Sequence, residues 1–180
     1  MSRIPTLASI EAAPAAAQPL LQAVQKQFGS VPNLFRVVAN SPAALEGYLG
    51  LNAALGKGTI DAQTRERIAL AVAGINDCGY CNAAHSYIGS KLAKLSQAEI
   101  EANRHGGSTD PKADAAVRFA VEIVRQRGHV SDVDLNAVRH AGYTDAQVIE
   151  IVLHVALNTL TNYVNEVAGT VIDFPVPVAA

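Results

Sequence analysis

The chain has 180 residues, 49% of them apolar, which is enough for one domain to bury a sizeable core. Its formal net charge is only −2, with acidic and basic residues interspersed, so the sequence carries no nucleic-acid footprint and no electrostatic case for an anionic partner. No run is long and apolar enough to span a bilayer, and Pro5, Glu11 and Pro14 interrupt the Ala-rich start where a signal peptide would need an apolar core. A cytoplasmic protein is therefore expected, with no membrane and no nucleic acid among its partners.

In chain order, an Ala/Pro stretch expected to be partly mobile precedes Leu20, Leu21, Val24 and Phe28, which form one apolar helix face. Ser41-Pro42 reads as an N-cap with proline at the first helical position, opening a helix that carries Leu45, Tyr48, Leu49 and Leu55 and stops at Gly56 and Gly58. Asp61 starts the next helix, through Arg65, Glu66, Ile68, Leu70, Val72 and Ile75. The polar pair Asn76-Asp77 breaks it, with Asp77 the simplest N-cap for a fresh helix running from about Cys78 to Leu95. Ser96 with Glu99 forms a capping box for a shorter helix ending at Gly106-Gly107, and Asp110-Pro111 opens another that ends near Gly128. Ser131 with Asp134 and Thr144 with Gln147 cap the last two, the final one apolar at Val148, Ile151, Val152, Val155 and Leu160. Val171 to Ala180 reads as an extended tail. Helical spacing throughout, and the lack of hairpin patterns, predict an all-α fold: a single-domain helical bundle.

The two cysteines, Cys78 and Cys81, stand three positions apart. Such a pair closes too small a loop to staple a fold, and in a reducing cytosol it reads as chemistry. With Cys78 opening a helix, a rotation of about 100° per residue brings Cys78, Cys81 and His85 within about 60° of one another on one face. Gly89 falls on the same stripe, where a missing side chain lets another helix come close. Free N–H groups and the positive dipole end at a helix start stabilise a thiolate, lowering a thiol from about 8.5 to roughly 3.5–7.5. Thiolate attack on a peroxide oxygen gives a sulfenic acid, which a neighbouring thiol converts to a disulfide.

His85, one turn after Cys81, is spaced to take the thiol proton and return one to the leaving alkoxide. Glu66 in the preceding helix is able to orient it, although helix geometry alone does not place Glu66. Tyr80, between the cysteines, reads as packing. A metal site is the main rival, with Cys78, Cys81 and His85 as soft ligands and His105, His129, His140, His154 or Glu66 as a fourth. The chain has no second local ligand pair, so neither metal nor cofactor is expected. Two further rivals are a protein thiol-disulfide oxidoreductase and a redox sensor without peroxide turnover.

Glu66, Cys78-Gly79-Tyr80-Cys81 and His85 together resemble the alkylhydroperoxidase D-like branch of the carboxymuconolactone decarboxylase family, whose redox members carry a Glu, a C-x-x-C pair and then a His at this spacing. Val31-Pro32-Asn33-Leu34-Phe35, Leu51-Asn52-Ala53-Ala54-Leu55 and Asn158-Thr159-Leu160-Thr161-Asn162 are similar to that family's peroxidase-related members, so the likeness covers about residues 30 to 175 of one domain, with both ends peripheral. The resemblance implies that Cys81 attacks a hydroperoxide, Cys78 resolves it, and His85 with Glu66 forms the proton relay. It also implies reduction of the disulfide by a lipoyl-bearing protein or another dithiol donor such as a thioredoxin-like protein, and a homo-oligomer, trimeric or hexameric. The well-studied peroxidase has a second His where this chain has Tyr80, which shortens the relay. The decarboxylase branch lacks the cysteine pair, so its lactone chemistry is not expected here.

Overall fold

A computed structural model describes residues 2–175. Among them are nine α-helices and no strand: α1 Gln18–Phe28, α2 Asn33–Val38, α3 Pro42–Leu55, α4 Ala62–Ile75, α5 Gly79–Lys91, α6 Gln97–Arg104, α7 Pro111–Arg125, α8 Asp132–His140 and α9 Asp145–Ala168. The all-α, single-domain architecture expected from the periodicity is the one observed, and no described helix is long and apolar enough to cross a membrane.

The helix starts follow from their caps. Ser41 accepts from the Ala44 N–H, Asp61 from the Thr64 N–H at 2.8 Å, and full capping boxes open α8 and α9. At α6 only half of the expected box forms. Ser96 accepts from the Glu99 N–H at 3.1 Å, but the Glu99 carboxylate turns into the protein instead of back to the cap. The short helix α2, which the apolar pattern does not mark, starts after Pro32.

Helix α4 is the hub, packed against α5, α6, α7 and α9. Its Ile68, Leu70, Val72 and Ala73 are fully buried, as befits a helix apolar on most of its sides. Each such Ile, Leu or Val stabilises the fold by about 1.5–3 kcal/mol relative to an exposed side chain. Gly74 lets α6 approach: a Cβ there would collide with the Arg104 carbonyl oxygen, so even alanine would force α4 and α6 apart. Gly89 plays the part expected of it, since a Cβ there would meet Leu95, Ile100 and Leu70 at 3.3–3.9 Å.

Two expectations are corrected along α9. Val152 and Leu160 are 37% and 43% exposed, and the inward face instead carries a polar stripe of His154, Asn158, Thr161, Asn162 and Asn165 beside Val148, Ile151 and Val155. The apolar pattern of the helix hides its buried amides, and these are what meet the cysteines. The N-terminal stretch, expected to be partly mobile, is packed: Ala13 and Ala17 are buried with Leu21 and Val24, and the Arg3 N–H donates to the Ala168 carbonyl at 2.6 Å. Phe28, by contrast, is 41% exposed.

Residues 171–175 are non-helical and fold back over the start of α5. Asp173 accepts from the Asn33 N–H and the Tyr80 hydroxyl, both at 2.8 Å, and Phe174 stacks edge-on against Tyr80. Asp173 and Phe174 are thus held against the start of α5 of their own chain, and the rest of the expected tail, from 176 to 180, lies outside the described residues.

Candidate active site

The turn between α4 and α5 sets the two sulfurs. Asn76 closes α4, Asp77 adopts a left-handed conformation (φ 52°), and the Cys78 N–H donates back to the Ala73 carbonyl at 3.0 Å. Cys78 is therefore the N-cap of α5, one residue later than the Asp77 cap expected from the sequence. Asp77 is instead the residue that reverses the chain, a conformation Asp tolerates better than most. Cys81 falls in the first turn of α5, where backbone N–H groups are free and favour negative charge.

Both thiols are free, Cys78 fully buried and Cys81 only 3% exposed. His85, one turn on, has Nδ1 2.8 Å from Glu66 Oε2 across the α4–α5 contact. The structure therefore brings Cys78, Cys81, His85 and Glu66 to one place, including the Glu66 contact that helix geometry alone could not supply.

The electrostatics separate the two sulfurs. A hydrogen bond from Cys78 favours the Cys81 thiolate, burial opposes it, and the positive charge of His85 with the amides of Asn165 and Asn162 supports it, leaving Cys81 lowered to about 6. Cys78 is pushed well above the ordinary thiol range, first by its hydrogen bond to Cys81 and then by burial. Burial would depress His85, but the charge and hydrogen bond of Glu66 outweigh it and raise the imidazole above its ordinary value.

Cys81, His85 and Glu66 open onto a cavity of about 120 Å³, walled by Leu34, Tyr48, Ala84 and Leu157. A wider groove of about 760 Å³ between α1 and α3 shares Asn52, Arg65, Glu66 and His154 with it. Tyr48 stays a neutral phenol, raised by burial and by the charges of Cys81 and Glu66. His154 stays a neutral imidazole, lowered to about 4 by burial and by Arg65. Among the described residues no three His, Cys, Asp or Glu side chains are gathered as a metal site would require. His105 and His140 bond within their own helices, to Glu101 and to the Asn136 carbonyl. Sequence reasoning misses the α9 contribution: Asn165 Nδ2 lies 3.3 Å from Cys81 Sγ. The only available signal is the repeat of Asn at positions 158, 162 and 165, one and then just under one helical turn apart.

An all-helical domain with a C-x-x-C pair at a helix start, opposed by a His–Glu pair, is what the comparisons with known proteins have to match. The model of the carboxymuconolactone decarboxylase family matches residues 42–126, from the start of α3 to the end of α7. A peroxidase-related protein from Ralstonia eutropha JMP134, described as an alkylhydroperoxidase AhpD core, is 25% identical, with 96% of this chain and 92% of that one covered at a TM-score of 0.85. A peroxidase-related protein from Silicibacter sp. TM1040 shares the fold at 22% identity, covering 93% and 88% of the two chains at a TM-score of 0.80. The debrominase Bmp8, solved with 2,3,4-tribromopyrrole, shares it at 18% identity, covering 88% and 86% at 0.75. No curated protein matches the chain significantly.

Proposed function

We propose that this protein is a thiol-dependent peroxidase that reduces organic hydroperoxides through a Cys78–Cys81 dithiol/disulfide cycle, with His85 and Glu66 as the proton relay. The observation that carries the reading is the gathering itself: Cys81, with Cys78 three residues before it, shares a cavity with an imidazole held 2.8 Å from a carboxylate, and Cys78 and His85 both favour its thiolate form. The Cys81 thiolate attacks the terminal oxygen of R–O–OH, forming S–O as O–O breaks, and the departing alkoxide takes a proton from His85. Cys78 then loses its proton and displaces hydroxide from the Cys81 sulfenic acid, forming the disulfide and water. Glu66 on Nδ1 fixes the ring and leaves Nε2 to exchange the proton.

Burial argues for a small oxidant over a protein substrate, because folded protein disulfides cannot reach sulfurs that are 0% and 3% exposed without rearrangement of the surrounding helices. The same burial favours a slender reductant, a lipoyl arm or a small dithiol, over a broad thioredoxin-like face. Exposed Ile149, Tyr163 and Val167 on α9 give a homo-oligomer an apolar face to bury, which supports self-association; the trimer or hexamer is what the resemblance implies.

Steady-state consumption of cumene hydroperoxide with dihydrolipoamide tests the reading in wild type, Cys81→Ser and His85→Gln. Turnover in the wild type that is lost in both variants is expected. An inactive wild type whose disulfide nevertheless forms and reduces readily would make this a thiol-exchange protein or sensor instead.

A further inference from the structure

Asn162 and Asn165 stand on one inward face of α9 against the start of α5, 0% and 2% exposed. Asn165 Nδ2 donates to Cys81 Sγ at 3.3 Å. Asn162 Oδ1 accepts from Asn76 Nδ2 at 2.9 Å, which orients its amide, while its own Nδ2 is buried and, beyond the support it lends the Cys81 charge, has no hydrogen-bond partner among the described residues. A buried donor left without an acceptor destabilises the fold, so its retention calls for a reason. A neutral thiol is a weak acceptor and gives little reason to keep two amide donors beside it; a thiolate, or a sulfur receiving an oxygen, is a strong one. Donors fixed in advance where charge develops are the usual way a buried site stabilises it.

We propose that Asn162 and Asn165 form an amide cradle for the negative charge of Cys81, making Asn165 a catalytic residue in contact with the reacting sulfur and Asn162 the donor held ready beside it. The cradle rests on the peroxidase reading and deepens it: the charge resides on the sulfur before S–O formation and is shared with the transferring oxygen as O–O breaks. The two amides act alongside the Cys78 hydrogen bond and the charge of His85 in keeping Cys81 low.

The test uses the full chain with Cys78→Ser, so that Cys81 alone reacts, and follows iodoacetamide alkylation against pH in Asn165→Ala and Asn162→Ser, with thermal unfolding measured alongside. A merely structural role would move the unfolding temperature and leave the titration midpoint in place. The expected result is a midpoint raised by about one unit or more in Asn165→Ala, a tenfold loss of thiolate on the acid side. A smaller rise is expected in Asn162→Ser. Midpoints unchanged in both variants would overturn the cradle. Should either variant fail to fold, Asn165→Leu and Asn162→Leu, closer in volume, are titrated in the same way, and an unchanged midpoint in them overturns the cradle equally. Because no peroxide enters this assay, a shifted midpoint in a protein that does not consume hydroperoxide would uphold the cradle while removing the peroxidase.

Discussion

Glu66 and Arg67 are neighbours on α4, and each holds an ionic partner inside the protein, yet the two pairs do different work. Arg67 Nε lies 2.7 Å from Glu99 Oε1, and Glu99 also accepts from Asn103 Nδ2, Ser108, the Thr109 N–H and the Thr109 hydroxyl. Burial opposes the Glu99 charge, but these donors overcome it and lower the carboxyl to about 2, so the pair stays ionised and clamps α4 to α6 and the loop before α7. Glu66, by contrast, has its one side-chain hydrogen bond among the described residues with His85, and that imidazole faces a cavity and a thiolate. A buried ion pair saturated with donors is scaffold. One left with a single partner beside a cavity keeps a proton that can move.

The sharpest way to break that contrast is on the cavity side. Cys81→Ser should abolish hydroperoxide turnover, and His85→Gln should lower it by about 10²–10⁴-fold, as for loss of a general acid–base group, with little change in unfolding temperature. On the clamp side the effects should invert. Glu99→Ala leaves Arg67 buried and unpaired and should cost about 3–5 kcal/mol in denaturant unfolding, while molecules still folded turn over normally. Since Glu99 is lowered in the folded state, its contribution is fully present above its ordinary value and is lost as pH falls through about 2. Acid unfolding of Glu99→Gln should lack that component. The smallest effect belongs to Tyr80→Phe, which removes the bonds to Asp173 and the Leu34 N–H and should cost about 1 kcal/mol without changing the rate of thiol oxidation.

The same contrast is only half visible in the sequence. Helix starts are legible because Ser41, Asp61, Ser131 and Thr144 act locally, within the first turn they cap. The 78-81-85 stripe is legible because it lies on one helix. Glu99 is ambiguous because a capping box and a buried ion pair use the same residue, and only the position of Arg67, 32 residues away, decides between them. The Glu66–His85 contact depends on how α4 packs on α5 and is reached from the sequence only through the family resemblance, while the α9 amides, which depend on how α9 packs against α5, are not reached at all. Asp77 resembles a cap because Asp caps helices often, whereas the chain here needs a left-handed residue.

The most direct test of the account is the pH dependence of the second-order rate at which cumene hydroperoxide oxidises the reduced protein, in wild type and Glu66→Gln. The rate should rise as pH climbs through about 6, where the Cys81 thiolate forms, and fall again at a pH above the ordinary imidazole value of about 6.5, where His85 loses the proton it must give to the alkoxide. Glu66→Gln should move that alkaline limb downward. A rate that climbs to an ordinary thiol midpoint near about 8.5 and is indifferent to Glu66 would contradict the account.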